Sequence, residues 1–255
     1  DWEQYKPRFS NSWDEYRNSI WHRVGYVNWG YEAIGRFQNW EQIANYPIDN
    51  DRKGNRTVVP GDIMYKDQNN DGVINYLDER PIGYRVDSTP TLNFGINLSA
   101  SWKGFDLAMD WTGSGMTSWN QCYETARPFQ NDGNSPDEVL KDAWHLSDIW
   151  DANSPLIPGK YPMIRLNTDE TSAYDKSSYW LHNVTYLKLR NLEVGYTFPK
   201  TWLNRTGISN LRLFVSGTNL LTLSNLSVMD PECASDNGLD YPPMRVINIG
   251  VNLKF

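Results

Sequence analysis

The segment that most constrains the fold is the run of residues 245–255, which alternates between two kinds of side chain. The residues between its apolar positions are polar or small, and the apolar positions are Ile247, Ile249, Val251, Leu253 and Phe255. A period of two predicts a β-strand with one apolar and one polar face. About ten such residues cross a bilayer as a tilted strand, but an edge strand of a soluble sandwich alternates in the same way. This segment alone leaves both interpretations open.

The composition of the chain limits the kinds of molecule that the protein is expected to bind. The net charge of -7 argues against a nucleic-acid partner. No apolar run reaches the roughly eighteen residues that a membrane helix requires, although the strands of a membrane barrel barely register on hydropathy. The chain contains 12 Trp and 15 Tyr, which are favoured at membrane interfaces and in binding sites because each joins an apolar ring to a polar group. Since the chain begins at Asp1, without an initiator Met or a signal peptide, we expect a mature or internal start.

The sequence contains no pattern that points to catalysis. His22, His145 and His182 are isolated, and neither a nucleophile–base pattern nor a zinc-ligand spacing is present. We therefore expect that the protein is not an enzyme. Cys122 and Cys233 could pair in an oxidising compartment, whereas a disulfide framework would require more cysteines.

The sharpest local motif is an EF-hand-like cation loop within residues 61–83. Side chains or carbonyls that could bind a hard cation such as Ca²⁺ follow the spacing of such a loop, and they are Asp67, Asn69, Asp71, the Val73 carbonyl, Asn75 (through water) and Asp78. Gly72 stands where the loop requires a left-handed backbone, and Ile74 is expected to point inward. Asp78 replaces the usual bidentate Glu, which leaves the choice between Ca²⁺ and Mg²⁺ open. The alternative is an Asn/Asp/Gly-rich turn without an ion.

Further alternating runs predict four more strands. Residues 92–102 and 105–112 predict a hairpin around Lys103-Gly104, with Asp106 and Asp110 on its polar face. Residues 186–198 predict a strand whose apolar phase shifts near Arg190-Asn191, which indicates a bulge. The next strand contains Leu211, Leu213 and Val215.

Long segments of loop character separate these strands at 1–90, 113–183 and 221–244. Residues 50–55 are expected to form an exposed turn. A helix is predicted after residue 135, with Ser135 as its cap and Ala143-Trp144 in its apolar pattern. We divide the chain into a loop region at 1–90, which carries the cation loop, and a strand region at 91–255.

The lengths of the connections favour a membrane barrel. They alternate between long and short along the chain, and in bacterial outer-membrane barrels the short turns face the periplasm while the long loops face outward. A soluble sandwich has no reason to keep its long loops at one end. We therefore predict an all-β fold, an antiparallel transmembrane β-barrel segment. Its lipid-facing residues would be Leu92, Phe94, Ile96, Leu98, Ile247, Ile249, Val251 and Leu253, and its lumen-facing residues Asn93, Asn97, Asn248 and Asn252.

Several segments, in this order, resemble the C-terminal part of SusC/RagA-type TonB-dependent outer-membrane transporters of Bacteroidetes. They are Gly61-Asp62-Ile63 through Asp78, Pro81-Ile82-Gly83, residues 103–107, residues 186–191 and 195–199, residues 216–220, Asp230-Pro231-Glu232, and the terminal Phe255. The resemblance implies C-terminal strands of a plugged barrel of about 22 strands and gives Phe255 the role of a membrane-insertion signature. It also implies an outer-membrane location with extracellular long loops. The implied partners are a SusD-like surface lipoprotein, the remainder of the barrel with its plug, and TonB through the part that is missing here.

Two functions follow as hypotheses. The resemblance implies nutrient uptake, in which glycans or oligopeptides are captured outside and imported through the barrel with the SusD-like lipoprotein. The alternative is a soluble or surface carbohydrate-binding β-module stabilised by Ca²⁺, which the aromatic content and the cation loop would also suit. A requirement for detergent would distinguish a membrane barrel from such a module.

Overall fold

The computed structural model describes residues 8–19, 27–85, 90–166, 170–204, 207–232 and 237–255. The chain divides into two compact units. Unit 1 comprises residues 1–87 and 120–182, and unit 2 comprises residues 88–119 and 183–255. The long connection that precedes residue 183 is therefore grouped with the N-terminal region.

The secondary structure of the described residues is mainly β. The strands are β1 (Val27–Gly30), β2 (Ala33–Arg36), β3 (Ile63–Tyr65), β4 (Arg80–Arg85), β5 (Leu92–Trp102), β6 (Phe105–Asn120), β7 (His145–Leu146), β8 (Leu156–Ile157), β9 (Leu181–Thr197), β10 (Asn210–Ser224) and β11 (Val246–Lys254). The α-helices are α1 (Ser12–Asn18), α2 (Trp40–Ala44), α3 (Asp137–Lys141) and α4 (Lys200–Leu203). None of the described helices has the length and apolar character required to cross a membrane.

Unit 2 is organised around an antiparallel five-stranded sheet with the order β11-β10-β9-β6-β5. The predicted hairpin is present between β5 and β6, and Lys103 and Gly104 at its turn have positive φ values of 48° and 91°. Such turns match the twist of the flanking strands. β10 pairs with β11 from Asn210↔Lys254 to Thr218↔Val246. The strands predicted from alternation are therefore neighbours in one sheet.

A register shift occurs where the phase of the apolar pattern predicts it. Asn191 pairs with Thr218, whereas Leu189 pairs with Leu221, so two residues of β10 oppose one residue of β9. Asn219, one of the two, has a φ of 53°. The extra residue of the bulge therefore lies on β10, opposite the Arg190-Asn191 step at which the sequence indicates it.

Two strands extend further than predicted. β6 continues to Asn120 and β10 to Ser224, so the connections predicted at 113–183 and 221–244 begin later. Met116, like Asn219, has a positive φ, of 55°. Each strand continues past a residue at which strict alternation ends, and this explains why the sequence pattern placed the strand ends too early.

Unit 1 consists of short strand pairs around an aromatic core. β1 pairs with β4, β2 with β3 and β7 with β8. The Trp180 indole donates a hydrogen bond to the Ala173 carbonyl at 2.8 Å, and the Tyr65 hydroxyl donates to the Ser172 carbonyl at 2.7 Å. These two rings are therefore buried with their polar groups hydrogen-bonded. The principal cluster contains Tyr31, Ile63, Tyr65, Ile74, Tyr161, Tyr174 and Trp180.

The helix predicted after residue 135 is shorter than expected. α3 covers only Asp137–Lys141, Pro136 is its N-cap, and no side chain caps it. The Ser135 hydroxyl is buried without a hydrogen-bond partner, so its predicted capping role is wrong. Ala143 lies beyond the last turn of α3 and forms a β-bridge with Tyr161 instead. The apolar pattern of this segment therefore reflects packing against the core of unit 1 and not a longer helix.

Candidate functional site

One face of the five-stranded sheet carries a continuous set of exposed apolar side chains. It contains Leu92, Phe94, Ile96 and Leu98 of β5, Phe105 of β6, Val194 of β9, Leu213 and Val215 of β10, and Ile247, Ile249, Val251 and Leu253 of β11. Ile249 is 84% exposed, and its cross-strand partner Val215 is 47% exposed. Soluble monomers rarely expose a contiguous apolar patch larger than roughly a few hundred Å². This face, which we call the apolar face, therefore requires an apolar environment.

The opposite face, the polar face, carries charged and amide side chains. The Arg212 guanidinium donates to Asp106 at 3.1 Å and to Glu193 at 2.6 Å. The side-chain amide of Asn191 donates a hydrogen bond to the Asp110 carboxylate at 3.2 Å. Asp106 and Asp110 thus lie together on this face, as the alternation predicts. Asn93, Asn97, Asn248 and Asn252 alternate with the apolar residues of β5 and β11 and belong to the same face.

Aromatic rings gather at the end of the sheet where the short connections lie. Phe105 contacts Tyr196 with ring centroids 4.6 Å apart, and Phe198 contacts both Tyr196 and Trp202 at 5.1 and 6.0 Å. Trp102, at the same hairpin end, is 69% exposed. Aromatic rings at the edge of an apolar strand surface are typical of membrane–water interfaces. The composition indicated such rings, but the sequence did not assign individual residues to them.

The cation loop of residues 67–78 has the predicted backbone. Gly72 has a φ of 83°, and Ile74 is fully buried. The Asp49 amide donates to the Gly72 carbonyl at 2.8 Å, and the Ile74 amide donates to the Asp49 carbonyl at 2.9 Å. The loop is therefore attached through its backbone to a second segment of unit 1.

The candidate cation ligands make local hydrogen bonds. Asp67 accepts from the Gly72 amide at 2.8 Å, and Asp71 accepts from the Val73 amide at 2.9 Å. Fully buried Asp78 accepts from the amides of Gln68 and Asn75, both at 2.8 Å, and forms a capping box with Asn75. In the part of the chain that the structure describes, no three His, Cys, Asp or Glu side chains are grouped to hold a metal ion. The cation site stays a prediction.

Unit 1 also contains a cleft of about 450 Å³ with aromatic and charged walls. Arg17 pairs with Glu79, and Arg52 pairs with Asp175 at 2.6 Å. Burial raises the pKa of both carboxyl groups, while the neighbouring arginines lower it. Ion pairs that only hold a structure together shift pKa values in the same way as ligand-binding sites do, so these shifts do not identify a binding site. Because each pair joins distant parts of the chain, it ties unit 1 together across the cleft.

Among the described residues, His145 and His182 each make a separate contact. The His145 ring contacts the Ala143 carbonyl at 2.9 Å, and the His182 ring contacts the Gln121 side-chain oxygen at 3.0 Å. His22 and Cys233 lie outside the described residues, and Cys122 is partly buried. Whether the two cysteines pair stays open.

Comparison with known sequences identifies long relatives that this chain matches in part. It is 30% identical over 243 residues to TonB-dependent receptor P3 of Formosa agariphila, covering 88% of this chain and 22% of that receptor. It is 24% identical over 252 residues to TonB-dependent receptor SusC of Bacteroides thetaiotaomicron, covering 92% of this chain and 20% of SusC. The chain thus spans only a small part of these relatives. No family model matches the sequence.

Solved structures show the same fold. The RagAB peptide transporter superposes with a TM-score of 0.57 at 22% identity, covering 90% of this chain and 22% of that chain. The RagAB peptide importer in its closed-closed state gives a TM-score of 0.59 at 21% identity, over 90% of this chain and 23% of that chain. The sheet is accordingly a segment of an antiparallel transmembrane β-barrel.

The names of these relatives describe receptors and transporters. This confirms the expectation that the chain is not an enzyme. The quoted segments, the five-stranded sheet and the sequence relatives all lead to the same assignment. The chain matches a segment of the SusC/RagA-type TonB-dependent receptors, of whose length it covers only a part.

Proposed function

We propose that this chain is part of a TonB-dependent outer-membrane importer that takes up glycans or oligopeptides. The observation that carries the proposal is the apolar face, whose exposed side chains suit contact with lipid. The polar face, with Asp106, Glu193 and Arg212, suits the interior of a barrel. The remainder of the barrel and its plug would complete the passage, and TonB would act through the missing part.

The partner on the outside would be a SusD-like surface lipoprotein. The long connections leave the sheet at one end, because Leu92 of β5 pairs with Gly115 near the end of β6, and β9 begins at that end. Exposed apolar residues in the described parts of these connections, Trp150 and Tyr241 among them, suit a protein interface. We place this end outside the cell.

The test of the proposal is genetic and biochemical. Deletion of the gene should abolish growth on one class of oligomeric nutrient, and the intact protein should fractionate with the outer membrane and require detergent. A protein that is soluble without detergent and binds sugar would support the alternative, a Ca²⁺-stabilised carbohydrate-binding module. Trials with both glycans and oligopeptides would identify the substrate class.

The orientation predicts which cysteine variants can be labelled on intact cells. With the native cysteines replaced by serine, Trp150→Cys should react with a membrane-impermeant maleimide, because Trp150 is 90% exposed in a long connection. Trp202→Cys is the matched control, since Trp202 is 66% exposed but lies in the short connection. It should react only after the outer membrane is opened. The reverse pattern would contradict the orientation.

We also propose that the cation loop binds one structural Ca²⁺. Micromolar to millimolar Ca²⁺ should slow hydrogen exchange in residues 67–78, and Asp71→Asn should weaken the effect about tenfold or more, since loops of this kind tune affinity through ligand charge. Asp132→Asn, in the exposed Asn131-Asp132-Gly133 turn, is the matched control and should change nothing. Exchange that does not respond to Ca²⁺ or Mg²⁺ would identify the loop as an ion-free turn.

A further inference from the structure

The segment that follows β10 folds back on the sheet. Asn225 holds β9 through two side-chain bonds, accepting from the Thr185 amide at 2.9 Å and donating to the Asn183 carbonyl at 2.7 Å. Leu226 is then buried against a small apolar cluster on β6 and β9. The members of this cluster are Trp119, Val184, Tyr186 and Leu226, with Val228 and Met229 packed against them. We call residues 225–232 the strap.

The far end of the strap is held by a lysine on β9. Lys188 is only 1% exposed. Its ammonium group donates to both carboxylate oxygens of Asp230, at 3.0 and 2.9 Å, and to Glu232 at 2.9 Å. A buried ammonium has three N–H donors, and here each has a carboxylate acceptor.

An arginine and a tyrosine complete the network. The second oxygen of Glu232 accepts from the Tyr186 hydroxyl at 3.0 Å and from the Arg190 guanidinium. Arg190 is itself held by the Thr112 hydroxyl at 2.9 Å. Two cations and two carboxylates thus form an electroneutral group with its hydrogen bonds satisfied. Removal of one member would leave a charge without compensation, which is far more costly than the loss of an exposed pair.

The network lies on the polar face of the sheet. Tyr186, Lys188 and Arg190 alternate along β9 and point to one side, which Asn191 and Glu193 share because the phase of β9 changes at the Arg190-Asn191 step. That side is the one on which Thr112 of β6 lies, in phase with Asp106 and Asp110. Because the apolar face of a barrel segment contacts lipid, the polar face and the strap on it belong to the interior.

We propose that the strap is a fixed element of the barrel interior, fastened by an ionic clasp of Lys188, Arg190, Asp230 and Glu232. The apolar contacts of Leu226 hold one end, and the clasp holds the other. The strap narrows the passage on this side and is not a mobile outer loop. This inference rests on the barrel fold and does not require the proposed substrate or partner.

Hydrogen–deuterium exchange of the intact, detergent-solubilised receptor tests the fastening. In Lys188→Met the amides of residues 226–232 should exchange at least about tenfold faster, because two carboxylates then share one cation. The amides that pair β10 with β11 should be unchanged, which shows that the barrel is assembled. Lys141→Met is the matched control, because Lys141 forms an exposed pair with Asp137, and it should leave the strap unchanged.

A second variant separates charge compensation from packing. Lys188→Met combined with Asp230→Asn removes one charge of each sign, so exchange in the strap should recover much of its protection. An assembled Lys188→Met receptor with unchanged exchange in the strap would overturn the clasp, and so would a double variant as unprotected as the single one.

The interior position is tested with a lipid-borne quencher. A fluorophore on Ile249→Cys should be quenched by spin-labelled lipid, whereas one on Val228→Cys should be quenched weakly or not at all. Equal quenching at both positions would place the strap outside the barrel and overturn the proposal.

Discussion

Replacing Ile249 with arginine is expected to destabilise the assembled barrel by about 2–4 kcal/mol, because it places a guanidinium on the lipid side near the middle of a strand. Ile249 is 84% exposed in the middle of β11 and pairs with Val215 of β10. In a soluble sandwich with the same strand, an exposed Ile→Arg change would cost little. Denaturant titration of the intact receptor in detergent or lipid measures the free energy of unfolding. This measurement therefore distinguishes a lipid-facing surface from a water-facing one.

The neighbouring residue supplies the matched control. Asn248 pairs with Ser216 on the polar face, so Asn248→Arg adds the same side chain on the opposite side of the same strand. We expect a much smaller change in the free energy of unfolding, since substitutions in a lumen are tolerated. If Asn248→Arg were the more damaging change, the register of β11 and the assignment of both faces would be inverted.

Strict alternation explains why the sheet could be predicted from the sequence. Each of β5, β6 and β11 has one chemical character at even positions and another at odd positions, and a one-residue slip would exchange the two faces. The pattern fails where the backbone is irregular. Met116 and Asn219 have left-handed φ values although neither is glycine, so nothing at these positions indicates that the strand continues.

The structure of unit 1 was harder to predict from the sequence than the sheet, because some of its polar side chains are buried and form hydrogen bonds with nearby backbone groups. Residues 50–55 have the composition of an exposed turn, and they do turn, but Asp51 is 4% exposed. Its carboxylate accepts from the amides of Asn55 and Thr57, both at 2.7 Å. A carboxylate that accepts several backbone hydrogen bonds can be buried, and composition alone does not show this.

The ionic clasp illustrates a different limit of prediction. Lys188 and Arg190 occupy alternate positions of a predicted strand, and Asp230-Pro231-Glu232 belongs to the resemblance with SusC/RagA proteins. The two groups lie on separate segments, and one sequence contains no information on which charges meet. The Asn75–Asp78 capping box is local, yet the sequence assigns both residues to the cation loop and not to a cap. The position of a polar turn could therefore be predicted, whereas the partners of its side chains and the long-range charge pairs required the structure.

The second large effect is expected at Asp62, in the Gly61-Asp62-Ile63 segment of the same resemblance. Asp62 is fully buried, accepts from the Val59 amide at 3.0 Å and pairs with Arg165. Burial raises the pKa of its carboxyl group, while the Arg165 guanidinium lowers it. Asp62→Asn keeps the shape and removes the charge, which leaves Arg165 without its carboxylate. Breaking a buried pair in this way costs about 3–5 kcal/mol.

The loss should be confined to unit 1. The Phe37 amide donates to the Asp62 carbonyl at 3.0 Å, and the Gly61 amide donates to the Phe37 carbonyl at 2.7 Å, so exchange at these two amides reports on the site. Both should lose protection in Asp62→Asn, while the amides of the five-stranded sheet keep theirs. Asp137→Asn, which breaks the exposed pair with Lys141, should alter neither set because exposed pairs contribute little. Unchanged protection at Phe37 in Asp62→Asn would mean that hydrogen bonding alone, without the charge, holds this buried aspartate in place.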